Sequence, residues 1–103
     1  MAKEPQDHLP KKPTVKEVDG GKKVTLNGVT VTVLDEALDD WELLEELAAV
    51  DSGKGQKLPS LLRRLVGDDY DMVMDALRGQ NGRVSIADGA AFVRSLFGAL
   101  NPN

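Results

Sequence analysis

Cysteine is absent from this chain, and histidine occurs once, as His8. The first absence removes disulfides, thiolate metal sites and cysteine nucleophiles. The second leaves one imidazole, in a stretch punctuated by lysine and proline where no Ser–His or His–carboxylate geometry is held. Aromatic residues are scarce as well, at 4% of the chain. No apolar run approaches the roughly eighteen residues of a membrane helix. Met1–Lys12 is charged and proline-punctuated, unlike a signal peptide. These absences together lead to the expectation of a soluble cytoplasmic protein that needs no cofactor or metal.

What is present is an uneven distribution of charge. Residues 1–23 carry a balance of +2 and the remainder a balance of −6 within a formal net charge of −4. The eight carboxylates between Asp35 and Asp51 have no basic residue among them. A folded part this acidic repels phosphate backbones, and its few arginines form no basic footprint, which argues against nucleic-acid or anionic-membrane binding.

At 103 residues the chain supports one modest core. Residues 1–22 hold Pro5, Pro10, Pro13 and several lysines but only scattered apolar side chains. They bury too little to offset their ordering entropy and read as a disordered arm, with a short strand around Val15–Val18 as the alternative. Asp19-Gly20-Gly21 ends that arm. Residues 23–34 then form a β-hairpin, because Asn27-Gly28 between β-rich runs calls for a two-residue type I′ turn. The turn sets Leu26 opposite Val29, Thr25 opposite Thr30 and Val24 opposite Val31, so one face is valine and leucine and the other lysine and threonine.

Helical periodicity takes over downstream. A first helix spans about 39–50, with Asp39 as N-cap, Glu42 at N3 as a capping box, and Leu38 against Leu43 as a hydrophobic staple. Trp41, Leu44, Leu47 and Ala48 line one side of it, widened by Leu43 and Val50. Pro59 opens a helix over 58–66 whose Leu58, Leu61, Leu62 and Leu65 face inward while Arg63 and Arg64 face outward. Gly67 ends it, and Asp68 caps a helix over 69–78 with Tyr70, Val73, Met74 and Leu77 on one face. Ser85 caps a last helix over 86–99, with Asp88 at N3. Its apolar positions run through Ile86, Ala90, Val93, Phe97 and Leu100, with Phe92, Leu96 and Ala99 in an adjoining stripe. Residues 101–103 are a tail end, and no internal repeat is evident. The fold class is α+β and mostly helical: an N-terminal hairpin packed on about four short helices.

Chemistry finds no foothold in this pattern. The pairs Asp39/Asp40, Glu45/Glu46 and Asp68/Asp69 point in different directions on a helix surface and read as caps or a solvated face. Gly53-Lys54-Gly55 lacks the phosphate-loop spacing and follows a helix, not a strand. Asn81-Gly82-Arg83-Val84-Ser85 with Asp88 resembles the second half of an EF-hand loop, but Leu77 and Gly79 stand where the leading calcium ligands belong. Binding is the remaining reading. Trp41 is either core or a partner's anchor, and Glu42, Glu45 and Glu46 form the outward carboxylate side of the same helix. Phe92, Leu96 and Phe97 are either core or a self-association or partner patch. The arc of Trp41, Leu44 and Leu47 is expected to be committed to the core.

The segment Leu38-Asp39-Asp40-Trp41-Glu42-Leu43-Leu44-Glu45-Glu46-Leu47 resembles the D-D-W-E-L-L-E-x-L stretch of tail assembly chaperones from long-tailed (siphovirus-type) bacteriophages and prophages. Leu61–Tyr70 is similar to the leucine-rich segment that follows it there, and Leu77-Arg78 with Gly82-Arg83-Val84 to a later turn into a final helix. The resemblance spans about residues 23–100. It implies a non-enzymatic protein of the host cytoplasm that escorts the tape-measure protein, recruits major tail protein, and leaves before the tail is complete. The arm is not part of the pattern. Two rival readings share the composition: a structural or connector protein retained in the virion, and an acidic DNA mimic that inhibits a host protein.

Overall fold

The computed structural model describes residues 13–100, and within them Asn27 and Gly28 both take positive φ, 51° and 82°. This is the type I′ turn that the Asn-Gly pair demands. The register follows: Leu26 faces Val29, Thr25 faces Thr30 and Val24 faces Val31. The hydroxyls of Thr25 and Thr30 meet at 2.9 Å on the solvent side, while Val24, Leu26, Val29, Val31 and Val33 are buried on the other.

The hairpin is two-thirds of a three-stranded antiparallel meander, β1 (Thr14–Val18), β2 (Gly21–Leu26) and β3 (Val29–Leu34), in the order β1-β2-β3. Residues 13–22 are therefore not a disordered arm. Val15 pairs with Val24 and Val18 with Gly21, and Asp19-Gly20 is the connecting turn, with Gly20 at φ 77°. This is the alternative strand around Val15–Val18, and its signal is weak because it sits at the sheet edge. Most of it is exposed, and Lys16 and Glu17 mark the kind of charged edge that resists further pairing. Gly21 is required where it stands: a Cβ there would lie 2.5 Å from the Val33 carbonyl oxygen and 2.9 Å from the Leu34 Cα. Residues 1–12 of the expected arm, His8 among them, and residues 101–103 lie outside the described residues.

Helices follow: α1 (Asp35–Leu38), α2 (Trp41–Asp51), α3 (Leu58–Val66), α4 (Tyr70–Leu77) and α5 (Ile86–Leu100). The single turn α1 was not expected. It is tied to the sheet by the Asp35 N–H, which donates to the Gly20 carbonyl at 2.9 Å. Helix α3 packs on β3 and α5 on β2, so the amphipathic faces cover the valine side of the sheet. The core joins those valines to Leu43 of α2, Leu61, Leu62, Leu65 and Val66 of α3, Val73 of α4, and Phe92, Val93, Leu96 and Leu100 of α5. The α+β, mostly helical architecture is thus as read from the sequence, with one more strand.

Several local signals act as expected. Pro59 stands in the first turn of α3, Gly67 ends that helix at φ 56°, and the Ser85 hydroxyl accepts from the Asp88 N–H at 3.0 Å, capping α5. Asp68 does not cap α4. Residues Gly67–Asp69 form a 3₁₀ turn, and the neighbouring Asp69 carboxylate instead accepts the edge N–H of Thr32 at 2.9 Å. That bond satisfies an edge donor of β3 that would otherwise lack a partner within the sheet.

Candidate protein-binding face

Helix α2 starts one residue later than its sequence suggests. Asp40, not Asp39, is the N-cap, and its Oδ1 accepts from the Glu42 N–H at 2.9 Å and the Leu43 N–H at 3.3 Å. Glu42 thereby becomes N2, and the capping box and the Leu38–Leu43 staple do not form in the expected positions. Asp40 wins because its second oxygen has a further partner. Arg64 of α3 reaches it at 3.2 Å, and the same guanidinium meets Glu42 at 3.2 Å and Glu46 at 3.5 Å.

This clamp decides which way α2 is rotated. Three carboxylates at positions 40, 42 and 46 face α3, where Ser60 also donates to Glu46 Oε2 at 2.7 Å. Glu46 Oε1 and Arg64 Nε have no hydrogen-bond partner and are left facing each other at 3.5 Å, an ionic contact in place of a hydrogen bond. Partial burial alone would raise the Asp40 carboxyl, but the two backbone N–H donors and Arg64 outweigh it and hold it below its ordinary value. Burial likewise opposes the charge on Arg64, and Glu42, Asp40 and Glu46 overcome it and hold its pKa above the ordinary value. Arg64 is therefore not the outward-facing residue expected from its place beside Arg63. Arg63 does face out of the core and stacks over the Tyr70 ring at 4.1 Å.

With that rotation fixed, the apolar arc of α2 divides differently from the expectation. Leu43 is the buried residue, and Leu47 and Val50 pack partly against the core. Trp41 is 77% exposed and Leu44 60% exposed. The expected commitment of Trp41 and Leu44 to the core is overturned, because leucine and alanine on several sides of the helix left its phase open and the Arg64 clamp selects the side that shows Trp41 to solvent.

The other candidate residues separate. Glu45 is exposed, whereas Glu42 and Glu46 are engaged by Arg64, Glu46 being largely covered. Phe92 and Leu96 are 3% and 0% exposed and belong to the core, not to a partner patch. The tight packing of α5 on the sheet absorbs both of its apolar stripes except at Ile86, which is 86% exposed.

Two concavities border these surfaces. One, of about 770 Å³, lies between the end of β3, α1, the start of α2 and the end of α3. Leu34, Ala37, Trp41, Leu65 and Val66 provide its apolar lining and Glu36, Asp39, Asp40, Asp68 and Asp69 its carboxylates, with Arg64 as the cation among the lining residues. The other, of about 610 Å³, lies between α3, α4 and α5 and is almost wholly apolar, with Leu62, Tyr70, Met74, Ile86 and Val93 in its walls. Among the described residues no group of three or more histidine, cysteine, aspartate or glutamate side chains is placed to hold a metal ion, and no helix is long and apolar enough to cross a membrane.

Compared with known proteins, the chain matches no protein-family model, no curated protein and no solved structure.

Proposed function

We propose that this protein is a tail assembly chaperone of a long-tailed bacteriophage or prophage, acting in the host cytoplasm to keep the tape-measure protein soluble and to help recruit major tail protein. The observation that carries the reading is the exposed apolar face of α2. In a fold whose other leucine and valine positions are mostly covered, the sole tryptophan and Leu44 stand in solvent beside acidic side chains. A large aromatic displayed on a rigid helix is the usual anchor of a protein interface, and the carboxylates around it add solubility to whatever complex forms. The resemblance in the Asp39–Leu47 segment lies on this same helix. A tape-measure protein, as a long helical chain with apolar faces, is the kind of client that such a face masks. Moderate affinity per copy, multiplied along the client, permits both coating and release.

The reading is tested by co-expression with the tape-measure protein encoded in the same genome. The client is expected in the soluble fraction with this protein and in the pellet without it. A client equally insoluble in both cases overturns the reading, as does recovery of this protein as a stoichiometric component of purified virions.

A further inference from the structure

The exposed apolar side chains of α2 do not stand alone. Trp41 also lines the acidic groove together with Leu34 and Ala37. From Trp41 the track continues along the outer face of α2 through Leu44 and Ala48, both exposed, at i+3 and i+7. Over those seven residues α2 rises about 10 Å, so groove and stripe form one elongated surface that extends about two helical turns along α2. That is the footprint of a helix laid against a helix, with anchors repeating at i, i+3 or i+4, and i+7.

The charge around the track is one-sided. Glu36, Asp39 and Asp68 border the groove, and Glu45 and Asp51 border the stripe. None of these five makes an ion pair among the described residues. Arg64, the cation of the groove lining, is already shared among Asp40, Glu42 and Glu46. Nothing within the described chain compensates the border, so an occupant has to bring the positive charge itself. An acidic or neutral helix would bury these carboxylates without partners, at the desolvation cost that disfavours such contacts.

We propose that this track binds an amphipathic helix whose apolar stripe is bordered by lysine or arginine. Its apolar side chains pack on Leu34, Trp41 and Leu44, its cations meet Glu36, Asp39, Asp68 and Glu45, and one cation lies over the exposed indole face. Among the described residues a second copy of this chain offers no such helix. In α3 the two arginines are engaged, by Tyr70 and by the three carboxylates, and α5 carries a single arginine, Arg94, with its apolar side chains largely buried. The identity of the donor as the tape-measure protein rests on the chaperone reading; the chemistry of the docking helix does not.

The test is a titration of the full-length protein with two synthetic amphipathic helices of identical apolar stripe, one bordered by lysines and the other by glutamates. Binding is followed by Trp41 fluorescence and by backbone amide chemical shifts. The lysine peptide is expected to bind, with shifts confined to α1, α2, the end of β3 and the Gly67–Asp69 turn, and to weaken as salt is raised. The glutamate peptide is expected not to bind. Leu44→Glu and Glu45→Lys should each weaken the lysine peptide at least tenfold. Glu17→Lys, the same change of charge on the remote edge strand β1, should alter it less than twofold. Equal weakening by Glu45→Lys and Glu17→Lys would reduce the effect to net charge and overturn the proposal. So would shifts centred on the α3–α5 groove, equal binding of both peptides, or a self-association midpoint that Leu44→Glu abolishes in the absence of peptide. If the docking face fails these tests while co-expression still keeps the tape-measure protein soluble, the chaperone reading stands without it. If peptide binding behaves as described and the client still precipitates, the chaperone reading falls and the face remains.

Discussion

Replacing Trp41 with alanine separates the observed rotation of α2 from the one suggested by its sequence. The indole is 77% exposed, so only about a quarter of its surface is covered. A fully buried tryptophan removes up to about 250 Å² from water. A quarter of that, ~60 Å² at ~25 cal/mol per Å², gives an upper bound of about 1.5 kcal/mol. Alanine's better helix propensity returns a few tenths of a kcal/mol, leaving a loss of ~1 kcal/mol or less. Had the ring been core, truncation would cost about 3–5 kcal/mol. Urea denaturation followed by circular dichroism distinguishes the two. The midpoint should move slightly with an unchanged slope, and the wild-type tryptophan should emit at long wavelength and be readily quenched by acrylamide. A loss of about 3 kcal/mol or more, or a tryptophan shielded from quencher, would refute the exposed face and every binding argument built on it.

Other perturbations address the scaffold. Phe92→Ala and Leu96→Ala should behave oppositely to Trp41→Ala, costing about 3–5 and 2–5 kcal/mol in the same denaturation experiment, since both side chains are essentially buried. Gly21→Ala should destabilise by about 1–3 kcal/mol through overpacking, because its Cβ meets Val33 and Leu34 backbone; alanine at Gly55, where nothing lies within 4 Å of the added Cβ, is the control. Asp40 has its carboxyl held below the ordinary value of 3.8, so its contribution to stability is fully present above that pH and fades as pH falls through the lower folded-state value. Asp40→Asn should flatten that part of the stability–pH curve and leave the neutral-to-alkaline side parallel to wild type.

The elements that could be read from the sequence are those whose signals are local. Asn27-Gly28 fixes a turn, a register and a buried face at once, and Ser85 with Asp88 fixes the start of α5. Gly67 and Pro59 likewise mark boundaries without help from elsewhere. Strand β1 stands in the sequence only as the alternative to a disordered arm, because it buries little and lacks the alternation that announces a strand, even though Asp19-Gly20 is a turn dipeptide of the same kind as Asn27-Gly28. The rest depends on partners far along the chain. The phase of α2 is ambiguous in sequence because Trp41, Leu43, Leu44, Leu47 and Ala48 encircle much of the helix. It is resolved by Arg64, 24 residues from Asp40, which draws Asp40, Glu42 and Glu46 toward α3 and turns Trp41 outward. Phe92 and Leu96 were ambiguous for a related reason: an apolar arc broad enough for a partner is also broad enough for a sheet, and the third strand widens the sheet that α5 covers.

In the proposed role the outward face of α2 engages an aggregation-prone helical client. Co-expressing the tape-measure protein with wild-type protein and with a Trp41→Ala, Leu44→Glu double variant, shown by circular dichroism to be folded, isolates that contact. The client is expected to stay soluble with the wild type and to precipitate with the variant. A client held in solution equally well by both would contradict that role.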